Sequence, residues 1–168
     1  MRQTIVFLKE EDIQKLVKGL AQQINYDYKG EKEDLCLVCL LKGSLFFFSD
    51  LVRHLKNSVL IDFVSIDSSK GHFTISKDIN VNVKGKPVLI VKEILNEGNK
   101  LLFLKKRISA GYPKSVKVVT LIDKPSQRKL DLQPDYFGMS TEDRYIFGYG
   151  LDHQEKYRQL KDMYLFAQ

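Results

Sequence analysis

Apolar residues recur at helical spacing through Ile13, Leu16, Val17, Leu20, Ala21 and Ile24, and Glu10-Glu11-Asp12 stand just before them. Acidic groups suit the positive end of a helix, so an amphipathic helix is predicted over about residues 11–27. A short β-like segment, Thr4 to Leu8, precedes it. Leu35–Leu41 is apolar throughout, as a strand buried on both faces must be. Lys42-Gly43-Ser44 reads as a tight turn, and Leu45–Leu55 as a helix packed on the sheet. Val59–Ile66 alternates toward strand. Asp67 to Asn80 is polar, contains Gly71 and has no clear period, which predicts a loop or mobile hairpin. After the turn Lys84-Gly85-Lys86-Pro87, Val88–Val91 is an apolar strand, and Lys92 onward is expected as loop. Gly98-Asn99 introduces a helix from about Lys100 to Ser109, stopped by Gly111-Tyr112-Pro113. Ser115–Ile122 is a strand and Asp123-Lys124-Pro125-Ser126 a loop. Tyr136–Met139 and Tyr145–Tyr149 read as short strands, Gln154–Leu160 as a short helix and Met163–Phe166 as a last strand.

Buried strands alternating with helices imply βαβ units, hence an α/β fold with a mostly parallel sheet. One domain over residues 1–168 is expected, since no repeat, linker or low-complexity segment interrupts the chain. Ligands of such sheets bind beyond the carboxyl ends of the strands, which singles out the loops after Leu41, Val91, Ile122 and Tyr149.

Composition narrows the class. With 43% hydrophobic and 29% charged residues, the chain is not of the disordered type. A net charge of +6 favours acidic small molecules, phosphates or nucleic acid as partners. The run Lys105-Lys106-Arg107 falls in a helical stretch and reads as a solvated face; a nucleic-acid role would require strongly salt-dependent affinity. Cys36 and Cys39 lie three apart on a strand and so face opposite ways. They are expected to be buried, inert thiols of a reducing compartment. No apolar run reaches the roughly 18 residues a membrane span needs, and Met1-Arg2-Gln3-Thr4 opens too short an apolar stretch for a secretory leader. The cytoplasm is the expected location.

Five segments carry candidate chemistry. Val88-Leu89-Ile90-Val91-Lys92-Glu93-Ile94-Leu95-Asn96-Glu97-Gly98-Asn99-Lys100 runs strand, loop, helix start, a geometry that can cradle a phosphate on backbone N–H groups. The others are Leu40-Leu41-Lys42-Gly43-Ser44, Leu121 through Arg128, Arg144 through Asp152, and Lys156-Tyr157-Arg158-Gln159-Leu160. In order and spacing they resemble the type I phosphoribosyltransferases, specifically the hypoxanthine–guanine branch, over nearly the whole chain.

The resemblance implies a twisted, mostly parallel sheet flanked by helices, with a small hood from the terminal segments. It also implies a reaction: a 6-oxopurine displaces pyrophosphate from phosphoribosyl pyrophosphate, giving IMP or GMP, with magnesium assisting. Lys124 matches the lysine that donates to the purine 6-oxo group, and an ammonium, which only donates, selects oxo over amino. Tyr145 matches the aromatic that stacks on the base, and Ile146 the position whose backbone meets the purine edge. Glu93 and Asp152 match metal-holding carboxylates. Lys42 and Gly43 match the turn that receives pyrophosphate, where the preceding peptide is often cis. Arg128 and Arg158 match basic positions at the phosphates, and Gly98 and Asn99 belong to the phosphate loop. Arg144 matches a further basic position.

The phosphate side departs from the family pattern. Two adjacent acids are expected after the strand, yet Lys92 stands at the first and Glu93 at the second. The general-base aspartate is Asn96, which cannot take a proton at neutral pH. The small hydroxyl residue at the 5′-phosphate is Glu97, and a later threonine is Lys100, which would partly compensate. Lys92 is expected to pair with Glu97 in the empty site. The Ser-Tyr lid dipeptide is matched only by Ser68-Ser69, in an Asp67–Val83 stretch shorter than usual. The resemblance therefore implies a purine-salvage protein with impaired catalysis and a weakened magnesium site. The competing readings are an inactive purine-nucleotide-binding regulatory or hetero-oligomer subunit, and a nucleic-acid-binding protein. A homodimer or homotetramer is expected, and Leu45-Phe46-Phe47-Phe48 offers aromatic surface for it, with core burial as the simpler account.

Overall fold

A computed structural model describes residues 3–69, 72–142 and 144–167. Met1, Arg2 and Gly71, which entered the sequence expectations, lie outside the described residues. In chain order the elements are β1 (Thr4–Leu8), α1 (Glu10–Asp27), β2 (Leu35–Leu40), α2 (Leu45–Val52), β3 (Val59–Ser69) and β4 (His72–Lys77). Then follow β5 (Pro87–Leu95), α3 (Asn99–Ser109), β6 (Ser115–Asp123), β7 (Tyr136–Ser140), β8 (Ile146–Phe147) and β9 (Met163–Phe166).

Six strands form the main sheet in the order β4-β3-β2-β5-β6-β7. All neighbours run parallel except β3 and β4, so the expected mostly parallel α/β sheet is present. Its faces are covered separately. On one side α1 and α2 bury Ile13, Leu20, Ile24, Phe47 and Leu51 with Leu37, Cys39, Leu89 and Val91. On the other, α3 buries Leu101, Leu104 and Ile108 with Cys36, Val38, Val88 and Ile90. The two cysteines thus face opposite layers, and burial pushes the Cys39 thiol up to about 12 and raises that of Cys36 too. A second sheet, β1-β9-β8, joins the two ends of the chain into the expected hood. Ile146, Met163 and Leu165 of the hood pack into the same core as α1 and α2.

Several predicted elements differ in bounds or type. The helix after Ser44 stops at Val52 rather than Leu55. β5 continues through Leu95, because β6 keeps offering ladder partners: Lys92 pairs with Thr120, Ile94 with Ile122 and Leu95 with Asp123. The charged pair Lys92-Glu93 therefore lies in a strand and not a loop. The polar stretch after Ile66, expected as loop or hairpin, is a hairpin, with Asp67 opposite Thr74 and Ser68 opposite Phe73. Residues 154–160 form no helix. Gln154, Glu155 and Tyr157 adopt left-handed backbone, with φ of 52°, 62° and 73°. The segment instead returns along the hood loop, where Tyr149 N–H donates to Leu160 O at 2.8 Å and Gly150 N–H to Arg158 O at 2.9 Å.

Candidate functional site

A cavity of about 540 Å³ opens at the carboxyl edge of the main sheet, under the hood. Ser68 and Phe73 of the β3–β4 hairpin, residues 92–101, Lys124 beyond β6, and Tyr145, Ile146, Leu151 and Asp152 of the hood line it. This is the edge of a parallel sheet at which helix N-termini and loop side chains face outward.

The purine-side residues come together. Lys124 is buried and donates from Nζ to the Arg144 carbonyl oxygen at 2.5 Å, while its N–H reaches Leu95 O at 3.0 Å. That contact ties the end of β5 and the loop after β6 to the residue preceding Tyr145. The Tyr145 ring is 55% exposed, with Phe166 stacked at 6.0 Å and His153 meeting it edge-on at 5.6 Å. Its hydroxyl donates to Asp152 O at 2.7 Å, and desolvation, then the Asp152 charge, raises the phenol above its usual range. Ile146 is buried and paired in register with Leu165. The cavity therefore offers a buried ammonium, an exposed aromatic face and a strand backbone within one recess.

The carboxylates tell a different electrostatic story. Glu93 is buried, with Lys92 Nζ on one oxygen and the Ser44 hydroxyl on the other. Its carboxylate also lies against Gly43, where an added Cβ would require the Glu93 side chain to shift. The Leu41–Lys42 peptide is cis. Asp152 Oδ1 pairs with Arg158 Nη2 at 2.9 Å, and Oδ2 accepts the Glu155 N–H at 2.9 Å. Glu97 pairs with Lys129 and accepts from Asn99 Nδ2 at 3.0 Å; the Lys129 bond holds its carboxyl below the usual range. The expected Lys92–Glu97 pair is not formed, because each finds a nearer partner. Among the described residues, no group of three or more His, Cys, Asp or Glu could hold a metal ion. Magnesium is commonly held by one or two carboxylates together with substrate phosphates and waters; here the two candidate carboxylates, Glu93 and Asp152, are already engaged by an ammonium and a guanidinium.

The expected phosphate residues divide. Gly98, with φ of 92°, turns the chain into α3, and with Asn99, Lys100 and Glu97 it lines the cavity. Asn96 lines it too and is exposed. Lys100 makes no ion pair among the described residues. Lys42 and Arg158 do not line that recess. They meet instead at Glu155, at 2.9 and 3.2 Å, and the Lys42 bond, then Arg158, lowers the Glu155 carboxyl. Arg158 also donates to Gly150 O at 2.9 Å. Arg128 is not brought to the cavity. Its guanidinium is buried beneath the loop, paired with Asp123 and donating to Leu132 O at 2.6 Å, and its Nε lacks a partner among the described residues.

Glu155, Lys129, Ser44 and Phe73 were not assigned roles from sequence. Phe73 was detectable, since His72-Phe73-Thr74-Ile75 alternates with period two. Glu155 was not, because Lys42 lies 113 positions away.

Comparison with known proteins places this fold. The model of the phosphoribosyl transferase domain matches residues 7–156. A hypoxanthine-guanine phosphoribosyltransferase of Staphylococcus aureus (strain Mu50 / ATCC 700699) is 38% identical over 161 residues, covering 92% of this chain and 89% of that protein. A crystal structure of a hypoxanthine-guanine phosphoribosyltransferase from Bacillus anthracis is 42% identical with a TM-score of 0.93, covering 99% of both chains. A hypoxanthine phosphoribosyltransferase from Trypanosoma cruzi, in a ternary substrates complex, is 29% identical with a TM-score of 0.93, over 99% of this chain and 96% of that one. The chain belongs to the hypoxanthine–guanine phosphoribosyltransferase family of phosphoribosyl transferase domains. Its function is of the purine-salvage type that this family defines.

Proposed function

We propose that the protein binds a 6-oxopurine or its nucleotide, together with phosphoribosyl pyrophosphate, and interconverts them slowly. The observation that carries this reading is one cavity with two unlike halves. Lys124, Tyr145 and Ile146 supply the donor, stacking face and strand edge that a 6-oxopurine needs. The other half holds Asn96, which cannot accept a proton at neutral pH, and Glu97, which is paired with Lys129 and offers a phosphate no donor. General-base catalysis contributes about 100- to 10,000-fold, so its loss leaves turnover slow but measurable. A second reading, a nucleotide-binding subunit without turnover, is favoured by the same Asn96 together with Lys92. Magnesium binding is weak in either case, because the Glu93 and Asp152 oxygens are already partnered.

The same proposal takes residues 1–168 as one functional unit of the cytoplasm, working as a homodimer or homotetramer. Buried, unpaired Cys36 and Cys39 suit a reducing compartment, and no helix among the described residues is long and apolar enough to cross a membrane. In α2, Phe47 and Phe48 are buried but Leu45 and Phe46 are exposed, leaving apolar surface for a second copy.

The deciding experiment follows IMP and GMP formation from hypoxanthine or guanine, phosphoribosyl pyrophosphate and magnesium, beside calorimetric titration of GMP. Binding with slow formation is expected, and binding without formation selects the second reading. Rapid turnover would contradict the impairment, and absence of GMP binding would contradict both readings.

A further inference from the structure

Among the described residues three carboxylate side chains line the cavity, and each is already paired with a cation of this chain: Glu93 with Lys92, Glu97 with Lys129 and Asp152 with Arg158. The Lys92–Glu93 pair differs from the other two in its position. Lys92 lines the cavity with its side chain 23% exposed, while the Glu93 side chain beneath it is only 6% exposed. The carboxylate is thus sheathed by its ammonium on the cavity side and by Ser44 and Gly43 on the other. An ammonium carries three N–H donors. One is engaged by Glu93, which leaves the others for a ligand oxygen. Lys100 adds a second cavity cation with no ion pair among the described residues.

We propose that this cavity binds a phosphorylated ribose as the free anion, without a divalent cation, and that the Lys92 ammonium is the built-in counterion between Glu93 and the ligand. The inference rests on the purine-phosphoribosyl reading of the site and goes further by naming how its anion is neutralised. A divalent ion at Glu93 would have to displace the ammonium from a buried carboxylate. At Asp152 it would have to break the Arg158 pair and the Glu155 N–H bond. Neither displacement is needed by a ligand anion, which meets Lys92 and Lys100 directly. A lysine in this position also presents its charge permanently, whereas a metal site depends on the concentration of free ion.

The probe is phosphoribosyl pyrophosphate itself, titrated calorimetrically against the intact protein in EDTA and again in excess magnesium, with GMP titrated in parallel. The expected result is the same affinity in both buffers. Lys92→Gln, which keeps a polar side chain but not the charge, is expected to weaken binding in EDTA by about tenfold, the scale of one charge-assisted hydrogen bond. Lys92→Glu is expected to make binding require magnesium, and circular dichroism of each variant checks its fold. Binding of phosphoribosyl pyrophosphate that vanishes in EDTA and returns with magnesium overturns the inference. So does GMP binding with no phosphoribosyl pyrophosphate binding in either buffer. Loss of both ligands in both buffers overturns the underlying site reading as well. Should neither variant fold, the wild-type comparison of the two buffers still decides.

Discussion

Lys92 and Glu93 sit side by side on one strand and both line the cavity, but Lys92 is partly exposed while the Glu93 carboxylate is buried. A carboxylate so placed attracts cations only through the group that covers it, and here that group belongs to the chain. Asn96 and Glu97, at the exposed end of the same segment, change the proton and phosphate chemistry in turn. Lys92→Glu, Asn96→Asp and Glu97→Thr combined should restore both a metal-facing carboxylate and a base. The combination is expected to raise kcat/KM for IMP formation by at least about 100-fold, since a general base alone typically contributes that much. Steady-state assay of purified variant against wild type checks it, and no gain would show that closure or another defect limits the rate. These substitutions were legible as departures from a family pattern. Their partners were not: Lys92 was expected to reach Glu97, but Lys129 sits closer to that glutamate once the loop after β6 folds back against β5. Spacing along a chain says little about which cation a loop carboxylate will meet.

At the scale of elements, periodicity read the buried parts correctly. The helical stripe from Ile13 to Ile24 became α1, and the unbroken run Leu35–Leu40 became a central strand with cysteines on opposite faces. It failed where polar groups hide regular pairing. β5 runs past its apolar stretch because Glu93 is satisfied by Ser44 and Lys92. The hood loop misled in the opposite direction, since Tyr157 and Leu160 imitate a helical repeat. There the backbone is set by Gly148 and Gly150, with φ of 93° and 95°. A Cβ on Gly150 would overlap the Gly43 carbonyl oxygen, so this turn also fixes how closely the hood sits on the Lys42–Gly43 turn. Gly150→Ala combines left-handed strain with a backbone overlap, and a loss of at least about 2 kcal/mol is expected. Urea unfolding checks the figure, and a change below about 0.5 kcal/mol, the size of an ordinary surface substitution, would contradict the close approach.

Across the whole molecule, the net charge of +6 takes on meaning only once the cavity is seen. The basic residues are not gathered into a stripe; several are consumed locally, as Lys92, Lys129 and Arg158 are by cavity carboxylates. The sheet edge supplies the recess, the hood supplies Tyr145 and Asp152, and one lysine beyond β6 ties the two together through the Arg144 carbonyl. The central claim is that this recess still recognises a 6-oxopurine. A crystal structure of the GMP complex tests it most directly. The account predicts the base against the Tyr145 ring, its 6-oxo oxygen within hydrogen-bond distance of Lys124 Nζ, and the Ile146 backbone at the purine edge. Nucleotide density elsewhere on the protein, or a base whose 6-oxo group turns away from Lys124, would contradict it.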